Sequence, residues 1–365
     1  MSHKIIVTGG AGYIGSHVVV ELAQSGYDVV CFDSMERADP VIWENVQEIA
    51  ERQIPLEIVD LTDYTATTKA LKKHKDALAV IHLAAYKLVP ESVKEPLKYF
   101  HNNVTGLINL LRGLEQFGIT RFLFSSSCSV YGNPDGLPVS ESDPFKEAES
   151  PYARTKQIAE FILKDISKHT KKWNIVSLRY FNPVGAHPSH KIGEALVGPP
   201  ENLFPRLMLA VAGRLPHLTI YGDDYPTVDG TPVRDYIHIV DLAKVHVRAL
   251  NWLITNRPSF EVFNIGTGTG LSVLQVIKAF EESTGLSVPY TIGKRRHGDV
   301  VAVYASGEKA EQVLNWRPSR TVHQMVKDAW NWHLYMEKTP HFRRRLDTQF
   351  PVLDPERFKK TVSQK

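Results

Sequence analysis

Lys4-Ile5-Ile6-Val7-Thr8-Gly9-Gly10-Ala11-Gly12-Tyr13-Ile14-Gly15 is the stretch that decides the fold. Its first five residues form a short apolar run rich in β-branched side chains, the pattern of a strand buried on both faces. From Tyr13 to Ser25 apolar residues recur at helical spacing, and Gly26 suits a helix C-cap. Gly9, Gly12 and Gly15 fall where strand turns into helix. A dinucleotide site needs glycine there. The turn must be tight, the backbone must approach the pyrophosphate, and the helix N-terminus must offer it free N–H groups.

Working outward, Asp28–Phe32, Leu56–Val59, Ala77–Leu83, Arg121–Ser125 and Asn174–Tyr180 read as further strands. Helical patterns separate them, including a long one over Leu97–Phe117. Another starts near Pro151, where Ser150 suits the N-cap and Pro151 the first turn. Strands alternating with helices imply right-handed crossovers and a parallel sheet covered on both faces. The fold class expected is α/β: a Rossmann-type, doubly wound parallel sheet with a smaller mixed α/β substrate domain. After Asn182 the texture changes to Gly-, Pro- and His-rich loops and short elements. The division expected is a dinucleotide-binding domain over 1–182, to which segments at about 235–265 return. An interleaved substrate domain over 183–337 and a basic, aperiodic tail over 338–365 follow.

Composition narrows the class. The chain has 365 residues, 43% hydrophobic and 23% charged, which excludes a disordered or disulfide-stapled protein. No apolar run approaches the ~18 residues of a membrane span, so no membrane partner is expected. The run Ile5-Ile6-Val7 is too short for the core of a signal peptide. Two cysteines, Cys31 and Cys128, suit a reducing compartment, and a cytoplasmic location is expected. Net charge is +3, but the tail carries eight basic and three acidic side chains, so the remaining chain is slightly acidic. A near-neutral body gives no reason to expect nucleic acid. On this reading the tail is dispensable for activity.

Asp33, at the end of the second strand, can hydrogen-bond both adenosine ribose hydroxyls and repels a 2′-phosphate, which favours NAD over NADP. A helix cap is the other reading, and Arg37 nearby is a complication. Asp60 can meet the adenine or cap a helix. Ser125-Ser126-Ser127 follows the fifth strand, and Tyr152 and Lys156 lie at i and i+4 on one face of the next helix. All of these sit at the carboxyl ends of strands, where such sheets bind ligands. A phenol titrates near pH 10, and lowering it by three units takes about 4 kcal/mol. One cation at ~5 Å, at an effective dielectric near 20, offers about 3 kcal/mol, so Lys156 and a positive nicotinamide together suffice.

The strings TGGAGYIG, SSSCSVYG, SPYARTK, LRYFNPVGAHPS and VRDYIHIVDLA resemble the extended short-chain dehydrogenase/reductase superfamily, and within it the UDP-galactose 4-epimerase family. The likeness runs from about Lys4 to His333. It implies tightly held NAD, a UDP-hexose substrate and a homodimer paired through the helices near 97–117 and 151–171. It places Tyr13, Ile14, Asp33, Ser34, Asp60, Leu61, Leu83, Ala84, Ala85, Lys87, Asn102, Ser127, Tyr152, Lys156 and Phe181 against the cofactor, beside the three glycines. Lys87, Ser127, Tyr152 and Asn182 would meet the sugar, and Asn202, Leu203, Thr219, Ile220 and Tyr221 the nucleotide. Arg234, Arg296 and Asp299 would grip the diphosphate and the uridine ribose. Ser34 and Ala85-Tyr86 depart from the family's usual Asn and Gly-Leu. Val303 occupies the position facing the sugar 2-substituent, where valine leaves room for an N-acetyl group.

The resemblance also implies the reaction. Tyr152 as phenolate takes the proton of the 4-hydroxyl while C4 gives hydride to NAD, with Ser127 bonded to the reacting oxygen. The 4-keto sugar turns over, and hydride returns to its other face. A 4,6-dehydratase starts the same way but needs an acid–base pair after Ser127, where this chain has Cys128-Ser129. A decarboxylase and a non-catalytic NAD sensor are the remaining rivals. His187 and His190 lie in a loop without a ligand cluster, so no metal is expected. Trp330, Trp332 and His333 read as packing.

Overall fold

The run Lys4–Thr8 forms strand β1, hydrogen-bonded in parallel between β2 (Asp28–Asp33) and β4 (Ala79–His82). This computed structural model describes residues 3–196, 198, 200–296 and 300–362. β3 (Leu56–Ile58) pairs with β2. β5 (Arg121–Ser127) follows β4, and β6 (Asn174–Tyr180) follows β5. Strands β7 (Asn182–Val184), β8 (Leu218–Tyr221) and β9 (Val233–His238) come next, then β10 (Phe260–Ile265), which pairs with β6. The result is a seven-stranded, all-parallel sheet of order β10-β6-β5-β4-β1-β2-β3. Its interior strands are continuous apolar runs because both faces are covered: Ile5, Ile6, Val7, Val80 and Ile81 are wholly buried. Each contributes roughly 1.5–3 kcal/mol of hydrophobic stabilisation at most. The strand order reverses between β1 and β4, the place where such sheets hold ligands.

The helices beside this sheet are α1 (Tyr13–Gln24), α2 (Pro40–Ile49), α3 (Tyr64–Lys73), α4 (Val89–Lys94), α5 (Pro96–Phe100), α6 (Gly106–Gln116) and α7 (Pro151–Thr170). The stretch expected as one helix over 97–117 contains a π-helical turn at His101–Thr105, which periodicity does not reveal. Ser150 caps α7 as expected, its hydroxyl accepting from the Ala153 N–H.

The chain divides into two units. One comprises Met1–Phe181, Leu242–Ile265 and Ala305–Arg317, the other Asn182–Asp241, Gly266–Tyr304 and Pro318–Lys365. β9 therefore lies in the second unit, and 305–317 lies in the first. In the second unit β9 pairs with β7, β11 (Gly270–Ser272) and β13 (Ala302–Val303), while β8 pairs in parallel with β12 (Tyr290–Gly293). Its core joins Phe204, Leu207 and Met208 of α8 (Leu203–Val211) to Phe280 of α10 (Val273–Thr284) and Trp330 of α12 (Val322–Lys338). Helices α9 (Ile239–Asn256) and α11 (Glu308–Leu314) complete the part of the chain before the tail.

The tail corrects the sequence reading. Residues 340–349 and 355–362 are helices, α13 (Pro340–Gln349) and α14 (Pro355–Val362). Phe342, Leu346 and Phe350 are buried at helical spacing, a stripe hidden among the arginines. The fully buried Arg214 bonds Glu337 of α12 and Asp347 of α13, so this basic segment is part of the second unit.

Among the described residues no helix is long and apolar enough to cross a membrane.

Candidate functional site

The glycine loop after β1 shows why each glycine is there. Gly9 has a positive φ of 70°, and a Cβ on it would lie 2.6 Å from the Ala84 nitrogen. A Cβ on Gly15 would lie 2.0 Å from the Gly9 carbonyl oxygen, so α1 can leave the loop only with glycine at that position. Gly12, the N-cap of α1, is different: a Cβ there would meet nothing closer than 3.4 Å. The protein leaves that space open at a helix N-terminus, which fits the close approach of an anionic ligand.

Asp33, last in β2, accepts from the backbone N–H of Ala11 (3.0 Å) and of Met35 (2.9 Å), so it ties the loop to its strand. It does not cap a helix; that role falls to Asp39 at α2. Burial raises the Asp33 carboxyl above the ordinary range, against two backbone donors that hold it down. Arg37 is committed elsewhere. It forms a two-pronged ion pair with Glu91 at 2.8 and 2.6 Å and lies 3.8 Å from the Tyr86 ring centre. A ribose hydroxyl fits beside Asp33, whereas a 2′-phosphate would meet an anion and an arginine already neutralised. The loop and its carboxylate therefore fit NAD.

Asp60 is exposed and accepts from both the N–H and the hydroxyl of Thr62 at 2.8 Å, a turn inside the loop after β3; the cap of α3 is Asp63. Leu61 is buried, and Asn109 of α6 donates to its carbonyl. At the end of β4 the Leu83 N–H donates to the Thr8 carbonyl, and the Ala84 N–H reaches the Thr8 hydroxyl. Lys87 brings its ammonium to 5.4 Å from the Tyr13 ring centre, so loop and β4 end meet. Ile14 follows in the first turn of α1, half-buried, Ser34 follows Asp33, and Phe181 is buried after β6. Asn102 donates to its neighbour Asn103 at 2.9 Å. Asn103, which no spacing singled out, bridges two elements of the fold. Its side chain accepts from Tyr86 N–H (2.8 Å) and donates to Tyr86 carbonyl (3.0 Å) and to Thr155 (3.1 Å). It joins the loop after β4 to α7, and the π-helical turn is what aims it there.

Ser127 ends β5, and Tyr152 and Lys156 share a face of α7; all three are buried. The Ser127 hydroxyl accepts from the Ser129 N–H at 3.2 Å and acts to lower the Tyr152 phenol. Lys156 donates to the Ser125 carbonyl at 2.7 Å, and its ammonium lies 6.0 Å from the Tyr152 ring centre. Burial pushes the Tyr152 phenol up to about 12, and Lys156 down to about 8, with Glu160 opposing the fall. At that separation and an effective dielectric near 20 the ammonium lowers the phenol by about 3 kcal/mol, roughly two pK units. Burial holds the phenol in its neutral form, so forming the phenolate calls for a second cation beside Lys156. Behind the trio, Glu160 accepts from Ser126 (2.5 Å), Ser177 (3.1 Å) and Arg179 (2.7 Å), fixing α7 on β5 and β6. No spacing in the sequence marks this buried network.

In the second unit, Val303 is buried and registers with Arg234 across β13 and β9. Arg234 donates to the carbonyls of Val233 and Val300 at 2.9 Å. Asn182 donates to the Asp235 carbonyl at 3.0 Å, which sets it beside the same strand. Thr219, Ile220 and Tyr221 are in β8, and the Arg296 guanidinium lies 4.7 Å from the Tyr221 ring centre. Asn202 is the N-cap and Leu203 the first residue of α8. Asp299 lies outside the described residues. His190 pairs with Asp328 at 3.7 Å. Among the described residues no three histidine, cysteine or carboxylate side chains are grouped to hold a metal.

Residues 5–266 match the model of the NAD dependent epimerase/dehydratase family. UDP-glucose 4-epimerase of Drosophila melanogaster is 46% identical over 335 residues, 90% of this chain and 95% of the relative. UDP-glucose 4-epimerase of Bacillus subtilis is 44% identical over 328 residues, 90% of this chain and 96% of the relative. The crystal structure of UDP-glucose 4-epimerase from Stenotrophomonas maltophila, with bound NAD and formylated UDP-arabinopyranose, superimposes with a TM-score of 0.89 at 43% identity, covering 92% of this chain and 99% of that one. The enzyme from Bifidobacterium longum, in complex with NAD+ and UDP, gives 0.87 at 40% identity, covering 93% and 99%. With this loop, this carboxylate and this serine–tyrosine–lysine set, the chain belongs to the NAD dependent epimerase/dehydratase family, among its UDP-glucose 4-epimerases.

Proposed function

We propose that this chain interconverts UDP-galactose and UDP-glucose by inverting C4, the reaction that its relatives' name describes. The observation that carries this reading is the buried set Ser127, Tyr152 and Lys156 at the end of β5 and on α7, beside a loop shaped for NAD. Gly12, Asp33 and the residues from Leu83 to Lys87 would hold the cofactor. NAD held there would supply a reversible hydride acceptor for C4 and a second positive charge beside Tyr152. Tyr152 takes the proton of the 4-hydroxyl and gives it back after the sugar has turned. Ser127 bonds the reacting oxygen, and Lys156 stabilises the phenolate. Arg234 and Arg296 hold the diphosphate through planar forks suited to oxyanions, while few neutral groups hold the hexose. That division lets the keto sugar rotate without losing UDP. Purified protein given UDP-galactose, with no added reductant, should yield UDP-glucose; no conversion, or a deoxy product, overturns the reading.

Val303, buried opposite Arg234, supports turnover of N-acetylated UDP-hexoses as well. Val303→Tyr should abolish turnover of UDP-N-acetylglucosamine and spare UDP-galactose, read by parallel assays; intact turnover of the N-acetyl sugar refutes this gate. Exposed Leu97, Ile108 and Phe161, on α5, α6 and α7, support pairing of two copies through those helices. The two cysteines, neither in a disulfide, support a reducing compartment.

A further inference from the structure

The two segments proposed to hold the nucleotide, the N-terminus of α8 and strand β8, are joined by a turn of six residues, 212–217. The C-terminal helices grip that turn at several points. The N–H groups of Leu353 and Asp354 donate to the Gly213 carbonyl at 2.8 and 3.1 Å. Arg357 donates to the carbonyls of Ala210 (3.1 Å), in the last turn of α8, and of Pro216 (3.3 Å), within the connecting turn. Buried Thr361 donates to the Val211 carbonyl at 3.3 Å, and Arg214 reaches back to the Phe350 carbonyl at 2.6 Å. Val211 ends α8, where carbonyls lack a helical partner, and Thr361 supplies the donor, while the Ala210 carbonyl accepts from Arg357 in addition to the Gly213 N–H (3.1 Å). Gly213 has a φ of +71°, and a Cβ there would lie 2.7 Å from the Asp354 carbonyl oxygen. Turn and tail are fitted to one another, and the family model ends at residue 266, well before the tail.

We infer that α13 and α14 are a clamp that positions the nucleotide-binding segments, with Arg357 and Thr361 as positioning residues that hold α8 and β8 in the spacing UDP requires. The inference rests on the assignment of Asn202, Leu203 and Thr219 to Tyr221 to the nucleotide. It replaces the expectation, drawn from the sequence, that the tail is dispensable.

Arg357→Ala in the full chain tests it. Arg357 is half-buried, and the substitution leaves Asp354 capping α14 and strands no buried charge. The clamp requires the KM for UDP-galactose and the Kd for UDP, by calorimetry, to rise about tenfold, equivalent to about 1.4 kcal/mol. It also requires kcat within twofold of the parent, unchanged NAD content, and partial recovery of KM in Arg357→Lys. A tail that merely adds stability would lower Tm and leave KM and Kd unmoved well below it. KM and Kd within twofold of the parent, or a loss confined to kcat, overturn the clamp. If Arg357→Ala does not accumulate as folded protein, Thr361→Val decides: a rise of about threefold supports the clamp, and no change overturns it. A parent chain that binds no UDP removes the functional reading and the clamp with it, whereas a parent that binds UDP beside unaffected variants removes the clamp alone.

Discussion

Replacing Tyr152 by phenylalanine is expected to lower kcat by about three orders of magnitude while the Kd for UDP stays within twofold. A positioned general acid–base group contributes about 10²–10⁴-fold, and this one is both base and acid in a single turnover. The side chain is buried, so phenylalanine fills the same space and removes only the oxygen. Burial works against the phenolate, pushing the group up to about 12. Lys156 favours the phenolate, and the cofactor's positive charge would add to it. No other described hydroxyl beside Lys156 combines that burial with a place one helical turn away on α7. Stopped assays of UDP-galactose conversion and calorimetry with UDP measure the two quantities separately. A variant that retains a tenth of the parental kcat would exclude Tyr152 as the proton carrier.

Gly15→Ala is expected to lower NAD content at least tenfold and to destabilise the NAD-free protein, whereas Gly12→Ala should lower NAD content and leave that stability nearly unchanged. The contrast follows from the loop. At Gly15 the added carbon would sit 2.0 Å from the Gly9 carbonyl oxygen and 2.6 Å from the Gly10 Cα, both backbone atoms that cannot rotate away. The Gly9 carbonyl also accepts from Gly12 N–H at 3.2 Å, so relieving the clash opens the loop. At Gly12 the nearest protein atom is 3.4 Å away, an ordinary contact, and the methyl enters the space left for the pyrophosphate. Absorbance of bound NAD and thermal unfolding of the stripped protein read the two effects. Equal losses of stability in both variants would show that Gly12 serves the fold and not the cofactor.

Much of this was legible in the chain because it depends on spacing within one element or across one turn. Five strand-like residues running into glycines 9, 12 and 15 place a tight turn before a helix, whatever surrounds them. Tyr152 and Lys156 at i and i+4 must share a face of α7, and the serines must end β5. The all-parallel sheet follows from apolar runs alternating with helical patterns, since strands covered on both faces have no polar side to show.

What one-dimensional spacing does not encode is the partner of a side chain that reaches another element. Asn102 and Asn103 are chemically identical neighbours, and only the π-helical turn decides that Asn103 faces Tyr86 and Thr155. Arg37 sits as close in sequence to Asp33 as an arginine for a 2′-phosphate would, and only Glu91, fifty-four residues on, shows it is taken. The tail is the largest case. Its net positive charge reads as a solvated extension, because charge counts carry no information about burial. Folded, it turns Phe342, Leu346 and Phe350 inward and gives its backbone and Arg357 to the turn between α8 and β8. Local periodicity in the chain specifies the sheet, the glycine loop and the serine–tyrosine–lysine spacing. Only the tertiary structure decides which polar groups are already paired and that the tail packs against the turn between α8 and β8, because those depend on long-range packing.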